Sequence, residues 1–501
     1  VRRRTRAFGA SGSPARSRTS TGLGLLVVWM VGLLSGPAAA EPASEGGMPQ
    51  AQEASPPRAD LAFEGVTVVD AVSGRRPDQR VVVSGDRLVF VGPMDADAPE
   101  AARTIDGRGR FLMPGLWDAH VHFVYEPELT EAMPELFLRY GVTSVRDTGG
   151  DLDQLVALRT RWAATGRATP RFFLSGPLLD GRLVVYDGAT PAQPRLGTSV
   201  PDADRARAVV AELARRGADF IKIYELVSPE VFDALVSAAR ARRLPIAAHV
   251  PLSLTADVAG PRVDSMEHLR NVELACASDW ADLLATRRER LRAFSLGRGY
   301  ALRRGLHEAQ RLPAIAAYDA ARCAEVLASL QTTMQVPTLR LNAFNRSRPD
   351  REPVWQEATA GLPAPVRARW AGAAAELGAA EGELDPRFAD WSLRLVGLMR
   401  RAGVPLAAGT DTPIKLAIPG ESLHRELELL VASGLSEREA LAAATLAPAR
   451  FFGLEAEMGA VAVGQRADLV LLTADPLEEI RHTRAIEGVV SKGRWRPRDT
   501  P

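Results

Sequence analysis

Cysteine and histidine are both scarce in this chain, and each scarcity narrows the chemistry. Two cysteines, Cys276 and Cys323, stand in 501 residues. Neither a disulfide framework nor a thiolate metal cluster can be built from them; they either pair with each other or remain buried thiols. Any metal must therefore be held by imidazole and carboxylate, and seven histidines are present for it. Charge of one sign is not in excess either, with 62 Lys and Arg against 61 Asp and Glu. That balance gives no nucleic-acid footprint and no basic membrane patch. Long apolar runs are missing too. The stretch 23–34 falls short of the roughly 20 residues that a spanning helix needs.

That stretch has another reading. Arg2, Arg3, Arg4 and Arg6 precede it, and Gly36-Pro37-Ala38-Ala39-Ala40 follows it. A basic start, a short apolar run and small residues of the A-x-A type are the pattern of a cleaved export signal. No cysteine follows, so lipid attachment through one is excluded. The expectation is a signal peptide over 1–40, an exported protein without a stable membrane anchor, and a mature chain beginning near Glu41. Residues 41–60, rich in Pro, Ala, Ser and Glu, read as a disordered linker.

Beyond the linker the chain has β-rich ends and an alternating middle. Residues 61–112 contain short β-branched runs with a Ser84-Gly85-Asp86 turn, and 456–501 repeats the style. Together they predict a small β-sandwich assembled from both terminal regions. Between them, strand-like runs end at His122 and recur at 141–145, 171–175, 219–224, 244–249, 263–268, 335–339 and 404–409. Helices such as 204–216 and 229–242 separate them. This makes the eight strands of a (β/α) barrel over 113–455, an α/β fold. Two Arg- and Ala-rich helical stretches, 275–330 and 342–401, interrupt the later strands. As loops after strands six and seven they would overhang the face where such barrels do chemistry.

The candidate ligands fall at strand ends. Pro114-Gly115-Leu116-Trp117-Asp118-Ala119-His120-Val121-His122 places two histidines at i and i+2, which on a strand point the same way. His249 ends strand five, His268 ends strand six, and Asp411 follows strand eight in Ala408-Gly409-Thr410-Asp411-Thr412. Lys222 lies inside strand four, sharing a face with Phe220 and Tyr224. A lysine buried there needs an anion or a lowered pKa. Arg146 and Asp147, ending strand two, form a structural pair or contact substrate. His307, His424 and His482 fall in helical or terminal segments and are read as surface or packing residues.

The ordered set HxH, Lys, His, His, Asp resembles the amidohydrolase superfamily, and within it the imidazolonepropionase-related enzymes that include Xaa-Pro dipeptidases. Phe220-Ile221-Lys222-Ile223, Ser265-Met266-Glu267-His268 and Gly464-Gln465-Arg466-Ala467-Asp468-Leu469-Val470 carry the likeness further. The resemblance implies two divalent ions, zinc foremost, bridged by a CO2-derived carbamate on Lys222. It places His120, His122 and Asp411 on one ion and His249 and His268 on the other. It implies amide hydrolysis by a hydroxide at that centre, with Asp411 as general base and then general acid. Tyr224 is either an oxyanion donor or a packing aromatic. The substrate expected is a small molecule or short peptide, such as an Xaa-Pro dipeptide or N-acyl amino acid. Arginines of the insertions, among them Arg287, Arg288, Arg303, Arg304, Arg340 and Arg346, are candidates to grip its carboxylate. Competing readings are ester, lactone or phosphotriester hydrolysis on the same site, and a non-catalytic metal-binding relative. A homo-oligomer is left open.

Overall fold

Pairing begins at once where the described chain begins. The computed structural model describes residues 58–190, 193–293, 298–379 and 385–498. The segment 1–40, expected to be a signal peptide, lies outside the described residues, as does most of the linker expected over 41–60. The end of that linker is structured: Ala59 is buried and opens the strand Ala59–Asp70. Its Leu61, Ala62 and Phe63 find partners at Val83, Val82 and Val81, and that ladder overrides the local polar composition.

Both ends of the chain contribute to one eight-stranded sheet. From the front come Ala59–Asp70, Gly74–Ser84, Arg87–Pro93, Ala101–Asp106 and Phe111–Pro114; from the back come Leu469–Leu472, Ile486–Ser491 and Arg494–Pro497. The two sets meet where Phe111–Pro114 runs antiparallel to Leu469–Leu472. Alternate residues such as Leu61, Phe63, Val81, Val83, Leu469 and Leu471 share one apolar cluster, as a period of two requires. The turn at Gly85 takes a positive φ of 58°, a conformation glycine adopts without strain.

The middle alternates parallel strands with helices. We number its strands β1 Leu116–Val121, β2 Val142–Asp147, β3 Arg171–Leu174, β4 Ile221–Ile223, β5 Ile246–Ala248, β6 Ser265–Glu267 and β7 Met334–Val336. β1, β2 and β3 form one parallel sheet, and β4 to β7 continue a second in sequence order. The second sheet also takes in Leu178–Asp180 and Gly197–Ser199, which the sequence pattern did not announce. The intervening helices begin where the chemistry says they should. Asp202 caps Ala203–Arg215 by accepting from the Arg205 N–H, and Ser228 caps Pro229–Arg240 by accepting from Val231.

The eighth position is occupied but is not a regular strand. Residues 404–412 exchange backbone hydrogen bonds with Gln335 on one side and with 119–122 on the other, joined only by isolated bridges. Gly409 explains the closeness: a Cβ there would lie 2.6 Å from Val336 Cγ1 and 2.9 Å from His120 Cβ. Asp411 then turns to φ 60°, which ends any ladder. The stretches 275–330 and 342–401 are helical as read, with Trp280–Ala293, Gly299–Ala316 and Ala320–Ser329 in the first and Ala364–Ala379 and Arg387–Arg401 in the second. The two cysteines form a disulfide across 47 residues of the first stretch.

Candidate metal centre

His120, His122, Lys222, Tyr224, His249, His268 and Asp411 all line one narrow pocket at the C-terminal ends of the parallel strands. Residues 291 positions apart in sequence thus meet because their strands stand side by side. His120 Nε2 and His122 Nε2 each lie 3.2 Å from Asp411 Oδ1. The imidazole rings of His120 and His268 are 4.4 Å apart, and those of His249 and His268 4.7 Å. His120, His268 and Asp411 offer ligand atoms within 4.8 Å of one another. That group takes one histidine from each of the two ion sites that the resemblance implied.

Each histidine is gripped from behind. His120 Nδ1 donates to Glu267 at 2.6 Å, His122 Nδ1 to the Gly149 carbonyl at 3.0 Å, and His249 Nδ1 to Glu225 at 2.7 Å. His268 Nδ1 lies 2.8 Å from Thr338 Oγ1. With Nδ1 engaged outside, Nε2 is the nitrogen left for the pocket, and a carboxylate behind an imidazole makes it a stronger ligand. Burial, and then the neighbouring Lys222, drives His249 down to about 3, so it stays neutral. Burial likewise holds His268 well below the usual imidazole range.

Lys222 is wholly buried and its Nζ has no hydrogen-bond partner; the nearest carboxylate is Glu267 Oε1, at 3.9 Å. Burial lowers its pKa to about 8. Glu267 is already committed, to His120, to Arg146 at 2.8 Å and to Ser265 Oγ at 2.8 Å. An orphaned buried amine among inward-facing imidazoles fits an anionic ligand carried on that nitrogen, and the all-nitrogen and oxygen donor set fits zinc.

The backbone is strained at this site. His268 has φ 64°, Thr338 φ 46° and Asp411 φ 60°, all left-handed positions for residues with a Cβ. Each such placement costs about 1–3 kcal/mol, and persists only where the surroundings fix it. Part of the bracing is Asp118, which is pushed up to about 7 by burial and accepts from Thr410 Oγ1 at 2.6 Å and Thr410 N at 3.0 Å.

The remaining sequence-level candidates sort plainly. Tyr224 packs against His249 with ring centroids 4.4 Å apart and the rings tilted by 40°. Arg146 is a structural residue, but its partner is Glu267 rather than Asp147; it also donates to the Ala119 carbonyl at 2.6 Å. Asp147 accepts instead from the Phe123 and Gly149 N–H groups. None of the insertion arginines singled out lines this pocket. Arg287 is buried against Asn271 and Gln310, Arg288 donates to Ser253 O, Arg304 pairs with Glu308, Arg346 with Asp390, and Arg340 holds the carbonyls of Thr410, Ile414 and Lys415. Arg303 bonds Glu225 at 2.9 Å. The arginine in the pocket wall is Arg270. His424 is a packing residue between Thr483 and Tyr140. His307 is not: its Nε2 meets Glu225 at 2.6 Å. Glu225 and Glu267 were missed, though each adjoins a residue already singled out.

The model of a family described as the amidohydrolase family matches residues 172–495. Imidazolonepropionase of Saccharopolyspora erythraea is 28% identical over 176 residues, 34% of this chain and 44% of that protein. The chain thus spans less than half the length of that curated relative. The structure of a Xaa-Pro dipeptidase with methionine in its active site superposes with a TM-score of 0.60 at 19% identity, covering 87% of this chain and 99% of the other. That of a prolidase complexed with N-methylphosphonate-L-proline gives 0.58 at 22%, covering 88% and 100%. At these identities the two structures establish the shared α/β fold of the TIM type.

Proposed function

This chain belongs to the amidohydrolase family, and from that premise we propose that it is a metal-dependent hydrolase that cleaves the C–N bond of a small amide. The observation carrying the reading is the set of four histidines, each held through Nδ1, that line one pocket with a buried lysine whose Nζ has no hydrogen-bond partner among the described residues. In this reading His120, His122 and Asp411 would hold one divalent ion and His249 and His268 a second, with Lys222, as a carbamate, supplying a further anionic ligand. Burial shifts Lys222 toward the neutral amine, the form that reacts with CO2. When bound, such ions polarise a carbonyl and acidify water.

The chain's own groups do the rest. Asp411, within hydrogen-bond reach of two histidines of the site, accepts the proton that the attacking water loses and returns it to the leaving amine. Tyr224, on the same side of β4 as Lys222, is the candidate donor to the developing oxyanion. Arg270, in the pocket wall with its side chain 18% exposed, has Nη1 3.4 Å from Glu225 Oε1, and its remaining N–H groups are the candidate donors to a substrate carboxylate. This supports a dipeptide or N-acyl amino acid, Xaa-Pro dipeptides among them, and the prolidase structures of the same fold favour that choice. The eight parallel positions are read as one closed barrel, with the terminal sheet as part of a sandwich spanning 61–112 and 456–501. Export is part of the same proposal. The basic, apolar and small-residue pattern over 1–40 supports it, and so does the Cys276–Cys323 disulfide, a bond that persists in oxidising compartments.

The test is a panel of dipeptides and N-acyl amino acids offered to the purified protein, each also as its C-terminal amide. Hydrolysis of free acids is expected, with amidation, or Arg270→Gln, raising KM far more than it lowers kcat. Equal cleavage of free and amidated forms would reject the carboxylate anchor and bring ester and lactone substrates forward.

A further inference from the structure

The helix Gly299–Ala316 buries an unusual stripe. Gly299, Leu302, Arg303, Leu306, His307, Gln310 and Ala314 face inward at helical spacing, three of them polar. Polar groups in such a stripe are costly unless each finds a partner. Arg303 and His307, one turn apart, find the same one. Glu225 receives Arg303 Nε at 2.9 Å on Oε1 and His307 Nε2 at 2.6 Å on Oε2. Its Oε1 is also the atom that His249 Nδ1 reaches at 2.7 Å.

The donor directions in this chain are fixed. Arg311 lies 3.1 Å from His307 Nδ1, and a guanidinium only donates, so that nitrogen is the acceptor. His307 therefore carries its proton on Nε2 and donates to Glu225. The carboxylate in turn accepts the Nδ1 proton of His249, leaving His249 Nε2 unprotonated toward the pocket. We propose that the relay Arg311, His307, Glu225 makes the inserted helix a positioning device for the metal centre, fixing the tautomer and orientation of His249 from outside the barrel strands. The inference rests on the metal-hydrolase reading and adds residues that touch neither substrate nor ion. Arg303, at 2.9 Å, and Arg270, at 3.4 Å, share the load by pairing with Glu225 Oε1 inside the protein.

A purely structural role would make His307 replaceable by any group that fills its volume. A relay needs a donor toward Glu225 and an acceptor toward Arg311, which glutamine supplies and leucine does not. The experiment compares His307→Leu and His307→Gln with the parent, using two readouts. One is the release of bound zinc to a chelator. The other is the 15N and low-field 1H signature of the His249 ring in metal-free protein labelled at histidine. His307→Leu is expected to weaken zinc retention about 10–100-fold and to move or broaden the His249 Nδ1–H signal, whereas His307→Gln stays near the parent. A folded His307→Leu protein with parental zinc release and an unchanged His249 signal would overturn the relay. If His307→Leu fails to fold, Arg311→Met leaves His307 in place and removes the donor that fixes it, together with the guanidinium's contacts to Glu273 and Phe388, and its His249 ring signal is read the same way. Should the parent take up no zinc, the metal-hydrolase reading fails, and the ring signal alone decides the relay.

Discussion

Lys222 and Asp411 are the two side chains whose replacement separates chemistry from scaffold. If Lys222 serves to carry an anion, Lys222→Ala should lose activity and recover part of it when short carboxylates are added, which can occupy the emptied space. Lys222→Arg, which keeps the charge, should stay inactive; normal turnover in that variant would contradict the carbamate. Asp411→Asn should lower kcat by about 10²–10⁴-fold, the usual contribution of a general acid–base group, while changing KM little. A much smaller loss would make Asp411 a ligand or brace only. At this scale the inward-facing residues were legible because residues two apart on extended chain share a face, and His120 and His122 line one pocket although the strand pairing is irregular between Asp118 and Val121. The residues behind them were not. Glu225 and Glu267 follow or precede marked residues, and nothing in their spacing says that they reach back to an imidazole. His307 could have been found. A histidine and an arginine four apart, set among Leu302 and Leu306 in an apolar stripe, demand a buried acid.

Short parallel strands announce themselves as apolar runs, so seven of the eight expected positions are strands in the structure. The eighth is irregular because Gly409 must pass between Val336 and His120, and because Asp411 has to turn its carboxylate toward two histidines. Gly409→Ala should therefore be costly, since overpacking a fixed contact typically costs about 1–3 kcal/mol. Its loss of melting temperature should come with loss of metal, because the new methyl would press on the Cβ and backbone N of His120. A fully stable, metal-replete Gly409→Ala protein would show that the contact is soft. The disulfide belongs to this scale too. Composition left its pairing open, since two cysteines can as well be buried thiols. Closing a loop of 47 residues is worth about 4 kcal/mol by chain entropy, so Cys276→Ala with Cys323→Ala should lower stability in urea by about that amount. An unchanged midpoint would mean that the helical stretch is held by its packing alone.

Across the described residues the front and back sets of strands meet at Phe111–Pro114 and Leu469–Leu472, and the chain between them returns every candidate ligand to one end of its parallel strands. The β character of both termini was readable from alternating apolar residues. The added strands Leu178–Asp180 and Gly197–Ser199 were not, because they are three residues long and take their register from β4 and from each other. What the architecture accomplishes is convergence, and convergence on a metal is the central claim. Elemental analysis of the purified protein, alongside His120→Ala, His249→Ala and His268→Ala, tests it most directly. The account predicts about two divalent ions per chain, zinc foremost, with one or both lost in each variant. A full complement of metal in all three variants, or a parent protein that takes up none when zinc is supplied, would contradict it.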